Sequence, residues 1–315
     1  MHKKHHRPEV PEPAHPAHRR EPLPWHAPKP VGEDSDAPGK LEKILGSPSY
    51  IQADRDLDFL GSDDTRGVRL QLDYTKPELL LRKHGIERTI VVFGSTRIVE
   101  PAAARHRVEQ LREALSAAPQ DAEIPRRLLV AERILAKSRY YDVAREFGQI
   151  VGKAGGGPSD SSLVVITGGG PGMMEAANRG AHDAGAENIG LNVDLPHEQY
   201  PNPYVTPELC FRFHYFAMRK MHFLKRARAL VAFPGGFGTF DELFETLTLI
   251  QTRKITPLPV VLVGREYWQK AFDIDYMVSE GVIDLEDREL FWFAETAADI
   301  WEGIQCWYEN NGEQL

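Results

Sequence analysis

Two cysteines in 315 residues, Cys210 and Cys306, are too few for a disulfide framework. No apolar run approaches the ~18–20 residues that a membrane-spanning helix needs, so no membrane partner is expected. Positive charge is also short: 38 Lys and Arg stand against 46 Asp and Glu, a formal net charge of −8 with a pI near 5.9. A nucleic acid polymer is therefore not an expected partner. The opening MHKKHHRPEVPEP contains no apolar h-region, so no secretory leader is expected, and with so little cysteine the chain reads as cytoplasmic. No glycine loop continues into the Gly-Lys-Ser/Thr of a P-loop, which removes the lysine and hydroxyl that nucleoside triphosphate hydrolysis requires. The dinucleotide fingerprint G-x-G-x-x-G fails as well. After Gly168 and Gly170 its sixth place is Met173, and after Gly236 and Gly238 it is Asp241. Asp194, two dozen residues on, could mimic the ribose-binding acid of that motif and keeps a nicotinamide reading open. What the chain does have is 42% hydrophobic residues with 14 Phe, 10 Tyr and 5 Trp, enough for a large core.

Residues 1–40 hold 9 of the 23 prolines and 6 of the 12 histidines and little that could be buried, which predicts a disordered tail. Its histidines (His2, His5, His6, His15, His18, His26) match no ligand spacing, and no metal or cofactor is expected. Scattered apolar positions over 41–87 predict an accessory helical segment. From 88 to 315, short β-branched runs alternate with helical stretches: TIVVFGS, LVVITGGG, NIGLNVDLP, ALVAFPGG and PVVLVG. Continuous hydrophobicity marks strands buried on both faces, and the alternation with helices implies right-handed crossovers. The expected fold is α/β, a Rossmann-like doubly wound parallel sheet with flanking helices. A long crossover, 97–162, is expected to hold one or two helices, with a helical insertion at about 117–162. EYWQKAFDIDYMVSEGVI and ELFWFAETAADIWEGIQCWYE read as two amphipathic, aromatic-rich helices.

Ligands of parallel sheets collect where strands end and the next helix points its free amides outward. Three strands here end in small-residue turns. FGSTR offers Gly94 and Ser95, and a tight turn would need the same residues. TGGGPGMMEAANRGA places Gly168, Gly169, Gly170 and Gly172 between a strand and a helix, where bare backbone admits a phosphate or ribose. PGGFGTFDE combines Gly235, Gly236, Gly238 and Thr239, which suit an anion, with Asp241 and Glu242, which repel one. Such opposed demands suggest a ligand with two chemically distinct ends. Compensation of the helix dipole in a first turn would also account for the two acids, at ~0.3–1 kcal/mol each. Upstream, FHYFAMRKMHFLKRARAL places Arg219, His222 and Arg226 on one helical face beside Met218, Met221 and Lys225. The interleaved aromatics imply that part of this helix is buried, and a partly buried arginine wants a fixed anion.

GGGPGMMEA, MRK and PGGFGTFDE, in this order and spacing over about 88–290, resemble the LONELY GUY family of phosphoribohydrolases, long mislabelled lysine decarboxylases. LPHEQYPNPYVTPELCFRFHYFAMRKMHFL is similar to its longer bacterial members. The resemblance implies cofactor-free hydrolysis of the N-glycosidic bond of adenine-type nucleoside 5'-monophosphates, either AMP or cytokinin riboside 5'-monophosphates. The products would be free base and ribose 5-phosphate, and the expected partner a small-molecule nucleoside monophosphate.

By position, the family's essential arginine falls on Arg219, followed by Lys220, and its essential glutamate on Glu242. The resemblance further implies substrate contacts from Glu198, from Gly235, Gly236, Phe237, Gly238, Thr239 and Phe240, and from Thr248. Asp241 stands where shorter members usually carry glutamate, and Met-His-x-Arg-Lys has become Phe-Ala-Met-Arg-Lys. The first 87 residues and the 117–162 insertion have no counterpart in those members. The family also implies a homodimer or higher homo-oligomer. The alternative is a non-catalytic nucleotide or molybdenum-cofactor carrier of the same fold, which would not require Arg219 and Glu242 together. Pyridoxal-dependent lysine decarboxylation needs a lysine in a phosphate-cup context, which Lys220 and Lys225 on an arginine-rich helix do not supply.

Overall fold

The computed structural model describes residues 10–19, 21–23, 27–155, 162–194 and 200–315. His2, His5, His6 and His26 of the expected tail, residues 156–161 of the Gly/Ser-rich loop, and Glu198 lie outside these described residues. The chain divides into two compact units between Arg66 and Gly67. In the first, helices α1 (Ala37–Leu45) and α2 (Leu57–Gly61) contain no buried residue. The described part of 10–36 carries no helix, strand or buried side chain.

The second unit is built on seven parallel strands in the order β4-β3-β2-β1-β5-β6-β7. These are β1 (Arg88–Phe93), β2 (Leu163–Thr167), β3 (Asn188–Val193), β4 (Cys210–Phe213), β5 (Ala227–Ala232), β6 (Val260–Val263) and β7 (Trp292–Ala294). The five hydrophobic runs of the sequence are the five inner strands. Both edge strands escape the sequence pattern. β4 is four residues of CFRF with an exposed Arg212, and β7 is three residues inside ELFWFAE, where the aromatic run reads as helix.

Among the described residues, ten helices flank the sheet: α3 (Arg66–Lys83), α4 (Pro101–Ala117), α5 (Glu123–Lys137), α6 (Arg139–Ala154), α7 (Met173–Asp183), α8 (Phe216–Lys225), α9 (Phe237–Gln251), α10 (Arg265–Ala271), α11 (Ile274–Ser279) and α12 (Ala297–Asn310). The long crossover thus holds three helices rather than one or two. The C-terminal stretch holds three plus an edge strand rather than two long helices, because Phe272–Asp273 and the turn at Gly281 interrupt it.

Strand residues alternate between two cores, as the twofold period of a strand requires. Ile90, Val92, Val165, Val231 and Val261 pack under α6, α7 and α12, against Tyr141, Phe147, Met173, Ile300 and Ile304. Val91, Phe93, Ile166, Leu230 and Leu262 pack on the other side against Leu81 of α3, Phe223 of α8, Leu243 and Ile250 of α9 and Trp268 of α10. Each fully buried aliphatic side chain in these layers contributes roughly 1.5–3 kcal/mol. α9 buries Leu243, Leu247 and Ile250, spaced i, i+4, i+7, so its opposite face and its first turns are free to line a site. α12 is secured by a capping box in which Thr296 Oγ1 accepts the Asp299 amide at 3.1 Å and Asp299 Oδ2 accepts the Thr296 amide at 3.1 Å.

The candidate active site at the switch point

Chain order runs outward from β1 through β2, β3 and β4, then returns to the other side of β1 for β5, β6 and β7. The switch therefore lies between β1 and β5, where neighbouring strand ends diverge and leave a crevice. A cleft of about 550 Å³ opens there, at the carboxyl ends of the strands. Gly94 and Ser95, after β1, form one wall together with Thr96 and Arg97. Gly168, after β2, and Met174 form another. Gly236, Phe237, Gly238 and Thr239, at the start of α9, close the cleft with Phe216 and Arg219 of α8 and Glu242 of α9.

The α9 N-terminus is suited to an anion. Gly236 is its N-cap and has no side-chain cap, and a β-carbon added at Gly236 or Gly238 would meet nothing within 4 Å. The amides of Phe237 and Gly238 belong to the first turn, where no intrahelical acceptor exists. Gly235 does a different job: a β-carbon there would lie 2.1 Å from Thr239 Oγ1, so its bare backbone lets the Thr239 side chain fold inward. The Gly235 carbonyl accepts a hydrogen bond from the Tyr267 hydroxyl.

The second glycine loop shapes the cleft mostly from behind. Gly168 lets the guanidinium of Arg219 come close to the loop, since an added β-carbon would sit 2.6 Å from Nη2. Gly172 has φ of +73°, and its β-carbon would fall 2.4 Å from the Ser95 carbonyl oxygen, so only glycine lets this loop rest on the first. Gly169 and Gly170 do not line the cleft. Their backbone is tied down by a buried amide network: Gly169 N donates to Thr167 Oγ1 at 2.9 Å, and Asn202 Nδ2 donates to the Gly170 carbonyl at 3.1 Å. Asn202 also donates to Asn178, which accepts from Thr167 at 2.7 Å.

The acids of PGGFGTFDE part company in space. α9 starts at Phe237, so Asp241 and Glu242 fall in its second turn, beyond the reach of simple first-turn dipole compensation. Asp241 is half exposed and pairs with Lys220 Nζ at 2.8 Å. Glu242 is only 5% exposed, and its Oε1 has no hydrogen-bond partner among the described residues. Lys220 Nζ lies 3.6 Å from Glu242 Oε2 and 2.9 Å from Glu245 Oε2. Burial pushes the Glu242 carboxyl up to about 7, against the pull of Lys220 and Arg219. Burial also lowers Arg219, with Glu242 and Asp241 acting in the opposite sense. Its Nε donates to the Leu191 carbonyl at 2.8 Å, and its guanidinium stands 5.1 Å from the Phe223 ring centre and 5.4 Å from that of Phe216. Lys220 is held above its ordinary value: burial opposes its charge, but bonds to Asp241 and Glu245 prevail.

Two further expected contacts, besides Gly169 and Gly170, lie elsewhere. Phe240 packs into an aromatic cluster with Phe244, Trp268 and Phe272, at centroid distances of 5.3–6.3 Å. The exposed Thr248 gives its hydroxyl to the Phe244 carbonyl at 2.7 Å, two turns along α9 from the cleft. Conversely, Thr96, Arg97, Met174, Val193 and Phe216 line the cleft without having been expected there. The first two follow directly on the FGS turn, and that adjacency is the signal by which they could have been found.

The crevice at the switch point, the open helix N-terminus and the buried carboxylate meet at one end of a Rossmann-like sheet. A family model described as possible lysine decarboxylase matches residues 174–304. The cytokinin riboside 5'-monophosphate phosphoribohydrolase LOG3 of Arabidopsis thaliana is 31% identical over 169 residues, covering 52% of this chain and 74% of the relative. The corresponding enzyme LOG of Oryza sativa subsp. japonica is 31% identical over 169 residues, covering 52% and 65%. The chain belongs to the LONELY GUY (LOG) family. Among solved structures, the molybdenum cofactor carrier protein of Chlamydomonas reinhardtii is 18% identical with a TM-score of 0.41, covering 71% of this chain and 99% of that one. The molybdenum cofactor binding protein from Rippkaea orientalis is 21% identical with a TM-score of 0.37, covering 53% and 86%.

Proposed function

We propose that the protein hydrolyses the N-glycosidic bond of adenine-type nucleoside 5'-monophosphates, AMP or its N6-prenylated cytokinin counterparts, releasing free base and ribose 5-phosphate. The observation that carries this reading is Glu242: a buried carboxyl with one unpaired oxygen, in a cleft whose neighbouring wall is an open helix N-terminus. The phosphate would sit on the amides of Phe237 and Gly238 with the Thr239 hydroxyl, leaving the ribose over Glu242.

As the C1'–N bond breaks, its electron pair leaves with the base and positive charge develops on C1' and the ring oxygen. An ionised Glu242 stabilises that charge and takes a proton from the water that attacks C1', while the departing base takes up a proton from solvent to leave as the neutral free base. A carboxyl that titrates near neutrality suits a base that must accept this proton at physiological pH. Arg219 and Lys220 keep the ionised form accessible. The rings of Phe216 and of Phe237, which is 96% exposed, offer faces for the base. Lysine decarboxylation finds no support in Lys220, whose ammonium is engaged by Asp241 and Glu245. A homodimer or larger assembly in the cytoplasm belongs to the same reading, and light scattering tests the assembly.

Chromatography of base released from AMP, isopentenyl-AMP, GMP, CMP and adenosine tests the function. Adenine from AMP and none from adenosine is the expected outcome, and the ratio of AMP to isopentenyl-AMP turnover sets the base preference. Binding of nucleotide without release of base from any substrate would overturn hydrolysis in favour of a carrier.

A further inference from the structure

α3 lies outside the 174–304 stretch that matches the family model, yet it holds both ends of α8, the helix that presents Arg219 and Lys220. At the N-terminal end, Asp73 Oδ2 accepts the amides of His214 and Tyr215 at 2.9 and 2.8 Å. This ties down the N-cap, Tyr215, and the residue before it, at a helix end that has no side-chain cap of its own. At the C-terminal end, Glu78 has a side chain only 4% exposed and receives a two-pronged grip from Arg226, Nη1 to Oε1 at 2.6 Å and Nη2 to Oε2 at 3.0 Å. Lys225 Nζ approaches Glu78 Oε2 at 2.8 Å and also bonds the Tyr74 hydroxyl of α3. His222 Nδ1 stands 3.3 Å from Glu78 Oε1, and Arg82 Nη2 lies 3.8 Å from Oε2. Burial opposes a charge on Glu78, but the bonds from Arg226 and Lys225 hold its carboxyl down at about 2, so it is ionised at neutral pH.

We propose that Glu78, with Asp73 at the opposite end, is a positioning residue that sets the register of α8 against α9 and so holds Arg219 and Lys220 beside Glu242. The proposal rests on the reading of Glu242 as the hydrolytic carboxylate. The reason lies in spacing. Arg219 and Lys220 occupy the middle of a ten-residue helix, between the Asp73 grip at residues 214–215 and the Glu78 grip at residues 225–226. Further bonds act at the same two ends, Arg69 Nε to the Tyr215 hydroxyl at 3.1 Å and Arg226 Nε to the Ile86 carbonyl at 3.2 Å, whereas between them Arg219 Nε on the Leu191 carbonyl and the Lys220 carboxylate cluster are the very contacts that must be kept in place.

The test exploits a difference of sign. The charges that face Glu242 are Lys220 and Arg219 from α8 and Asp241 and Glu245 from α9, with Arg97 in the wall of the same cleft. If α8 shifts, the two cations retreat and burial dominates, so Glu242 titrates at higher pH. If Glu78 acted only through its field, removing its negative charge would move Glu242 to lower pH.

The experiment is a ¹³C NMR titration of glutamate-labelled full-length protein and of Glu78→Gln, with the Glu242 resonance assigned by its loss in Glu242→Gln. A rise of about one pH unit in the Glu242 midpoint is expected, with a fall of at least tenfold in kcat for AMP and an upward shift of the acid limb of its pH profile. Ile300→Val, in the core on the other face of the sheet, is the control for general loosening and is expected to move neither the midpoint nor the limb. An unmoved or lowered Glu242 midpoint in folded Glu78→Gln overturns the proposal. Should that variant not fold, Asp73→Ala, which removes a half-buried cap, carries the same expectation and the same refutation. If the wild type releases no base from AMP, hydrolysis fails, while the Glu242 titration still decides whether α3 positions α8.

Discussion

Glu242→Gln is expected to stabilise the fold, and only on the alkaline side. Burial raises the Glu242 carboxyl to about 7 from an ordinary 4.5, so between these values the folded protein binds a proton that the unfolded chain has released. Stability contributed by the protonated group is complete below about pH 4.5, falls as pH rises, and is lost once pH passes about 7. A gap of about 2.5 pH units at ~1.4 kcal/mol each is on the order of 3 kcal/mol. Glutamine reproduces the shape of the protonated acid and never ionises, so it avoids this cost. Lys220 keeps Asp241 and Glu245 as partners when Glu242 is replaced. At roughly 2–4 °C per kcal/mol for a chain of this size, the variant's Tm should exceed the wild type's by about 6–12 °C at pH 8.5. The two should melt together near pH 4.5. Thermal melts followed by circular dichroism at both pH values make the comparison. A Tm at pH 8.5 equal to or below that of the wild type would refute the claim that Glu242 is strained by burial.

Lys220→Met removes the cation 3.6 Å from Glu242 Oε2, and the acid limb of the pH profile for base release should rise by about one unit. A limb that stays in place would separate Lys220 from Glu242. Gly172→Ala puts a methyl group 2.4 Å from the Ser95 carbonyl in a backbone with positive φ, so a loss of about 2 kcal/mol or more is expected in denaturant melts. Its KM for AMP should rise too, since Ser95 and Thr96 must move, and an unchanged KM would detach that loop from the site. Phe237→Ala should leave stability within about 0.5 kcal/mol because the ring is 96% exposed. It should weaken nucleotide binding by about tenfold if the ring stacks on the base, and calorimetry showing wild-type affinity would remove Phe237 from recognition.

The inner strands were readable because each is buried on both faces, which writes an unbroken hydrophobic run into the chain. β4 and β7 were not, because an edge strand can be short and can carry an exposed residue such as Arg212 without loss. The glycine loops could be located by motif, but not the division of labour within them. Gly236 and Gly238 face open space, whereas Gly169 and Gly170 are tied to a buried network of Thr167, Asn178 and Asn202. The helical face carrying Arg219, His222 and Arg226 was visible in the spacing, and its split allegiance was not. Arg226 meets Glu78 across 148 positions of chain, a pairing that no local pattern encodes. Likewise, Asp241 and Glu242 look equivalent as a pair of acids. Their position on α9 exposes one to Lys220 and solvent and buries the other.

The most direct test of the central claim sets binding against turnover in one variant. AMP affinity is measured by calorimetry, and adenine release by chromatography, for the wild type and Glu242→Gln. Affinity within a few-fold of wild type and loss of nearly all turnover are expected, because the carboxylate acts chiefly in the transition state. Turnover at the wild-type rate in Glu242→Gln would contradict that claim.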